Sequence, residues 1–486
     1  MIPLLPVLFT WLLIGLCAPM FANGLTITNL SRDSLAQTVT FDLAWDNSWR
    51  LDATAAPNNW DAAWVFVKFQ PCAGGSQAPW QHGQLSVNLA DHSFGDLEPV
   101  LSDGSSVGID PAPHNTGVML RRNAQGLFGD APATTITLQV PNMLPNEAYN
   151  VRVVGLEMVF IPQGAYDLGG VTYSYAFSAT PSALDPTPLT ISSEAAVTVS
   201  SHLGGATPTI ALPATFPKGF AAFHLMKYEV SQGQYATFLN TLSSTVQYNR
   251  YPGNLGSYRN QLSAGGTAPD VFASSRPDRA QNYLGWADLA AYLDWAALRP
   301  MTEMEYEKAC RGLDPVLPAT EDYAWGDNAP SELTAITGPE DGSEIPAVLP
   351  ANAHYTNNLL GGGDGGYGPV RVGIFALPTS SSRVASGAGY YGAMELSGNV
   401  GEICVRVSPE TSSTGALVFT GTPGDGQLNA NAGANEPGWP TGANPAFLFR
   451  GGSFYQSAAD LRVTDRSEFY WNGLRTGWTG GRGVRQ

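Results

Sequence analysis

The sequence predicts an α+β domain preceded by an all-β sandwich, and three observations carry that reading. Residues 24–155 hold strands of period two and no helical period. Between residues 231 and 312 the pattern changes to short amphipathic helices behind capping boxes. Beyond residue 312 the chain returns to short strands and glycine-rich loops.

At 486 residues the chain is long enough for roughly two to three domains. Hydrophobic residues at 43% supply a sizeable core, while charged residues at 13% are about half the usual share. With 54 Gly and 36 Pro, that deficit points to turns and strands rather than long surface helices. The net charge of −17 argues against nucleic acid or an anionic membrane as partner, since little would offset phosphate repulsion.

Residues 1–22 read as a secretory signal peptide cut near Ala22, with an apolar run from Ile2 to Leu16 before Ala18-Pro-Met-Phe-Ala22. That run, about 15 residues, is short for a membrane span. No later segment is long enough to cross a bilayer, so the expected location is secreted or cell surface. Cleavage leaves Cys72, Cys310 and Cys404, too few for a disulfide framework; one bridge and three buried thiols both remain open.

Taken in order, Val39, Phe41, Leu43 and Trp45 alternate with Thr40, Asp42 and Ala44, the signature of a half-buried strand. Residues 64–69 and 148–154 give two more strands, and together residues 23–155 predict a sandwich of roughly immunoglobulin type. Core packing is the expected use of most of Trp45, Trp49, Trp60, Trp64 and Trp80, with a carbohydrate-stacking platform as the alternative. Residues 157–164 form a strand ending in a turn, and a Ser/Thr/Pro-rich insertion follows at about 178–217. Ser231 with Gln234 and Thr302 with Glu305 are capping boxes, and residues 286–298 form a helix between them.

The last 38 residues, 449–486, hold six of the chain's 24 Lys and Arg: Arg450, Arg462, Arg466, Arg475, Arg482 and Arg485. Buried guanidinium groups need fixed acceptors, so arginines set among glycines predict a hydrogen-bonded scaffold.

Six motifs occur in a telling order: Met158-Val-Phe-Ile-Pro-Gln-Gly164, Tyr228-Glu-Val-Ser-Gln-Gly-Gln-Tyr235, Leu298-Arg-Pro-Met-Thr-Glu-Met-Glu-Tyr306 continuing to Gly312, Tyr323-Ala-Trp-Gly326, Met394-Glu-Leu-Ser-Gly-Asn-Val-Gly-Glu402, and Arg450-Gly-Gly-Ser453 with Gly483-Val-Arg485. Over residues 156–486 the chain resembles the formylglycine-generating enzyme (sulfatase-modifying factor) family. The resemblance implies that family's variant of the C-type lectin fold, with Glu402 as a buried carboxylate. It also implies scaffold roles for Arg450, Arg462, Arg466 and Arg485. The preceding β region is similar to N-terminal domains of secreted bacterial members.

Enzymes of the family oxidise a substrate cysteine with two copper-binding cysteines, three and eight residues after the Gly-Gly-Ser. Here those positions are Gln456 and Leu461, and soft Cu(I) requires thiolates that neither supplies. Formylglycine generation is therefore not expected. A related branch uses a three-histidine iron site, but His82, His92, His114, His202, His224 and His354 show no ligand spacing. Gly104-Ser-Ser-Val-Gly108 lies in a polar turn rather than at a nucleophile elbow. The glycine run 361–366 lacks the Gly-Lys-Ser/Thr of a phosphate loop. Calcium is the one candidate cofactor: the resemblance puts Asn352 and Asp364 near one site and Asn399 and Glu402 near a second, with ordinary turn roles as the alternative.

Without catalysis, the same terminal stretch reads as a surface. Phe469, Tyr470 and Trp471 are successive aromatics that cannot all face inward, and aromatics beside Arg and Asn are interface-type composition. Tyr455, Gln456, Glu468, Asn472 and Trp478 complete the candidate binding surface, with packing against preceding loops as the alternative. The expected function is a secreted non-catalytic binder of an extracellular protein or glycan. A metal-dependent oxidoreductase of the superfamily and a structural subunit of an extracellular assembly are the alternatives.

Overall fold

The computed structural model describes residues 24–51, 53–170, 175–181, 187–202, 207–312, 322–378, 380, 382–407, 419–441 and 446–486. The expected signal peptide, 1–22, lies outside them. Strand accounts for 31% and helix for 12%, so the fold is α+β with sheet dominant. No helix among the described residues is long and apolar enough to cross a membrane.

Strands β1 (Thr26–Asp33), β2 (Thr38–Arg50), β3 (Asp61–Pro71), β4 (Leu97–Val100), β5 (Val118–Arg122), β6 (Leu127–Gln139) and β7 (Tyr149–Ile161) build the N-terminal third. The alternation expected in β2 is present, with Val39, Phe41, Leu43 and Trp45 buried between half-exposed neighbours. β1, β2 and β6 form a three-stranded antiparallel sheet. It packs on Ala63, Val65, Val67 and Phe69, one face of β3.

The other face of β3 meets the rest of the molecule. Ala62, Trp64 and Phe66 share a core with Phe238, Leu289 and Leu293. Covered on both sides, β3 is buried at every position from Asp61 to Gln70, as strands of enclosed sheets are. β7 pairs with β3 from Tyr149 to Val159 and with β8 (Phe223–Met226) from Met158 to Ile161. The junction expected at residue 155 therefore lies inside one strand. A single eight-stranded sheet runs β9 (Arg299–Pro300), then the C-terminal strand Gly483–Arg485, β8, β7, β3, β5 and β4, with Gln81–His82 also paired to β3.

Helices α1 (Gln232–Asn240) and α2 (Trp286–Trp295) cover the second face, while α3 (Glu303–Arg311) sets Tyr306, Ala309 and Cys310 against Val159, Ile161, Phe223 and Leu225. Both expected capping boxes close. Ser231 Oγ accepts from Gln234 N at 3.2 Å while Gln234 Oε1 accepts from Ser231 N at 3.0 Å. Thr302 and Glu305 do the same at 3.1 and 2.9 Å. α2 stops three residues before the expected Leu298, because Ala297 takes a left-handed φ of 55°. A small sheet then sets β10 (Gly401–Val405) between β11 (Phe447–Arg450) and β12 (Thr479–Gly480), with Glu402 directly opposite Arg450. The terminal strand is β13 (Gly483–Arg485).

Candidate functional site

Four of the terminal arginines, Arg450, Arg466, Arg482 and Arg485, are internal, and α3 explains the first two. Glu303 and Glu307 lie one helical turn apart and present two carboxylates to the same side. Arg450 donates to Glu303 Oε2 at 3.0 Å and Glu307 Oε1 at 2.8 Å, and also to the Val463 carbonyl. Arg466 grips both oxygens of Glu303, at 2.6 and 2.8 Å. All four side chains are fully buried. Burial alone would raise the Glu303 pKa, but Arg466 and Arg450 bring it below the usual value.

Arg485 donates to Ser102 Oγ at 2.9 Å, Asp110 Oδ2 at 3.0 Å and the His114 carbonyl at 2.6 Å, with its guanidinium 4.2 Å over Trp64. It thus ties the terminal strand to the N-terminal third. Arg462 is half-buried. Arg482, one of the six terminal arginines but not among those the resemblance placed in the scaffold, bonds Glu402 Oε1 at 2.7 Å and the carbonyls of Met226, Lys227 and Met394 at 3.2, 3.0 and 2.6 Å. The buried Glu402 was the signal: a carboxylate at the centre of a small sheet requires a counter-charge.

The calcium expectation does not fit these positions. Asp364 accepts from Arg276 and Arg279. Asn352 Oδ1 accepts from Ser331 N, Asn399 Oδ1 from Val370 N, and Glu402 Oε1 from Arg482. Of these side-chain oxygens only Glu402 Oε2 is without a partner. Guanidinium groups therefore stand at Asp364 and Glu402, and backbone N–H donors at Asn352 and Asn399, where a cation would have to bind.

At the two family cysteine positions, Leu461 is fully buried beside Tyr323, Trp325 and Tyr355, and the Gln456 amide donates to Glu468. Cys72, Cys310 and Cys404 are all free thiols. Cys310 and Cys404 sit in an apolar core with Tyr306 and Val463. Burial pushes the Cys310 thiol up to about 12 and raises Cys404 as well, so neither is a thiolate at neutral pH. Among the described residues no three His, Cys, Asp or Glu side chains gather as a metal site. His82, His224 and His354 each meet a backbone carbonyl instead, of Thr116, Ser102 and Gly368.

The aromatic surface is only partly the expected one. Trp471 is a correction: it is 8% exposed, set edge-on to Phe447 and Phe449. The residues before it form a 3-10 turn, Ser467–Tyr470, rather than a strand, and that turn swings Trp471 inward. The side chains of Phe469 and Tyr470 lie outside those described. Asn472 is exposed and closes a turn by accepting from Leu474 N. Tyr455, 38% exposed, stacks on Trp478 with ring centroids 4.5 Å apart and planes 12° from parallel. Tyr258, which the sequence reading did not single out, stands edge-on to both rings at 6.1 and 6.5 Å.

The model of the sulfatase-modifying factor enzyme 1-like domain matches residues 154–486. The chain belongs to that family. The matched span begins inside β7 and takes in α1, α2 and α3, the arginine–glutamate scaffold and the aromatic surface. Hercynine oxygenase from Mycolicibacterium thermoresistibile is 39% identical over 62 residues, which are 13% of this chain and 14% of that protein.

Proposed function

We propose that this family member is a secreted or cell-surface, non-catalytic binder that engages an extracellular protein or glycan through Tyr455, Trp478 and their neighbours. One observation carries the reading. At the copper-cysteine positions stand an amide hydrogen-bonded to a carboxylate and a buried leucine, while the chain's interior thiols are protonated within its core. Soft-metal chemistry has no thiolate there to use.

The full-length protein, loaded in turn with Cu(I) and Fe(II), should consume no oxygen above the metal-free rate when offered thiol peptides. Sustained turnover would return it to the enzymes. The short likeness to hercynine oxygenase supports an oxidoreductase as the second reading, so the Fe(II) arm should include hercynine with a thiol. As for the surface, Tyr455→Ala should change unfolding free energy by no more than about 0.5 kcal/mol. The same change should weaken ligand binding by about 2 kcal/mol. Equal binding by variant and wild type would remove Tyr455 from the contact.

A further inference from the structure

The end of the glycine run 361–366 has a role its sequence did not disclose. With Tyr367 it forms one wall of a cavity of about 540 Å³ whose other wall is the turn from Gly256 to Arg259, with Gln261 beside it. Small-ligand sites span about 300–1,000 Å³.

Arg259 is the group in that wall whose bonding is incomplete. Its side chain is only 4% exposed, and its Nη2 donates to Glu340 Oε1 at 2.6 Å. Its Nε and Nη1 are buried and have no acceptor. A guanidinium cannot shed its charge and has five N–H groups to place, so two idle nitrogens in the interior call for an oxygen from outside the chain.

The protein's own carboxylates are already taken. Glu340 Oε2 accepts from Arg276 at 3.2 Å and from Arg279. Asp364 Oδ1 accepts from Arg276 at 2.6 Å, and Oδ2 from Arg276 at 3.0 Å and Arg279 at 2.9 Å. Three guanidinium groups thus share two carboxylates, and one positive charge is left over. The shortfall falls on Arg259. Burial and the charge of Arg279 outweigh Glu340 and Asp364 there and bring its pKa down to about 10, which leaves it protonated at neutral pH.

Backbone keeps the space beside Arg259 open. Gly256, Gly365 and Gly366 have φ of 80°, 64° and 85°, a region other residues rarely adopt. A Cβ at Gly256 would meet nothing within 4 Å, and the nearest atom to one at Gly366 would be Arg259 Cγ at 3.9 Å. Tyr258 and Arg259 themselves are consecutive non-glycine residues at positive φ, 44° and 57°, strain of the kind that collects at ligand sites. Asp364 also lines the cavity, but arginine donors cover both of its oxygens. The chain's charge of −17 is spread over the whole molecule and is screened beyond about 8 Å at physiological salt.

We propose that this cavity is an oxyanion site, in which a carboxylate or sulfate group of a small ligand accepts from Arg259 and bonds Ser257 and Gln261. The planar guanidinium fork matches such oxygens, and charge-assisted bonds of this kind are the strong ones. Tyr258 and Tyr367, the latter 45% exposed, flank the body of the ligand. Oxyanion binding here is independent of whether the Tyr455 surface holds a partner.

Calorimetric titration of the full-length protein with sodium benzoate and with sodium sulfate, at ionic strength held constant with sodium chloride, tests it. At least one anion should bind at a single site; benzoate alone would mark a carboxylate ligand and sulfate alone a tetrahedral one. Arg259→Gln should abolish that binding. Because it also strips a donor from Glu340, Gln261→Glu is the deciding variant. Gln261 is half-buried and outside the arginine network, so Gln261→Glu places a negative charge in the cavity of a protein that melts as wild type does. It should weaken the anion about tenfold or more. No single-site binding of either anion overturns the inference, as does binding that Gln261→Glu leaves unchanged.

Discussion

Replacing Arg450 with methionine should destabilise the protein by about 3–5 kcal/mol, the cost of breaking a buried ion pair from one side. Glu303 would keep Arg466, but Glu307 would be left with the Gly169 amide at 2.8 Å and a looser contact to Arg311 at 3.6 Å. The Val463 carbonyl would lose its guanidinium donor altogether. Arg450→Lys should recover little of this, since an ammonium is a point charge and cannot reach two carboxylates and a carbonyl from one plane. Arg475 provides the contrast. It also chelates Asp288, at 2.7 and 2.8 Å, but is 31% exposed. Arg475→Met should therefore cost about 1 kcal/mol or less. Denaturant unfolding of the three variants reads the difference. An Arg450→Met protein within about 1 kcal/mol of wild type would show that the scaffold does not depend on that arginine.

The contrast between those two arginines also marks what the sequence could disclose. Local devices were legible, because a capping box or an alternating strand is written within a few residues, as at Ser231, Thr302 and β2. The covering of β3 was legible too and was read too simply. A run such as Ala62-Ala-Trp-Val-Phe-Val67 lacks polar alternation, which is the mark of a strand enclosed on both faces. The facing of Trp471 was not legible, because three adjacent aromatics do not disclose the 3-10 turn before it that decides which of them turns inward. Tyr258 lies nearly 200 residues from Tyr455, and no local pattern records that the chain brings them together. The cavity was hidden for the same reason. Its glycines were visible, but what they leave room for depends on a turn a hundred residues earlier.

Substituting Glu395 by glutamine should produce a stability difference from wild type that swings by about 3 kcal/mol between pH 5 and pH 8. Glu395 is buried beside Arg482, Arg371 and Glu402, and its Oε2 accepts from Gly373 N at 2.9 Å while Oε1 has no partner. Burial pushes its pKa up to about 7, against which the Gly373 hydrogen bond and the two arginines work only partly. The folded state therefore binds a proton that the unfolded chain releases near pH 4.5. The resulting stability is complete below that pH and is lost as pH rises through about 7. Wild type alone would hide this. His224 and His354, depressed to about 4 by burial, contribute stability that is present above pH 6.5 and lost on the way down to 4. The opposing slopes overlap and flatten the wild-type curve. Glutamine has no proton to lose, so Glu395→Gln should gain on wild type as pH rises, with melting temperatures at pH 5, 6, 7 and 8 as the readout. A difference that stays constant across that range would mean Glu395 is already ionised in the folded protein, held so by Arg482.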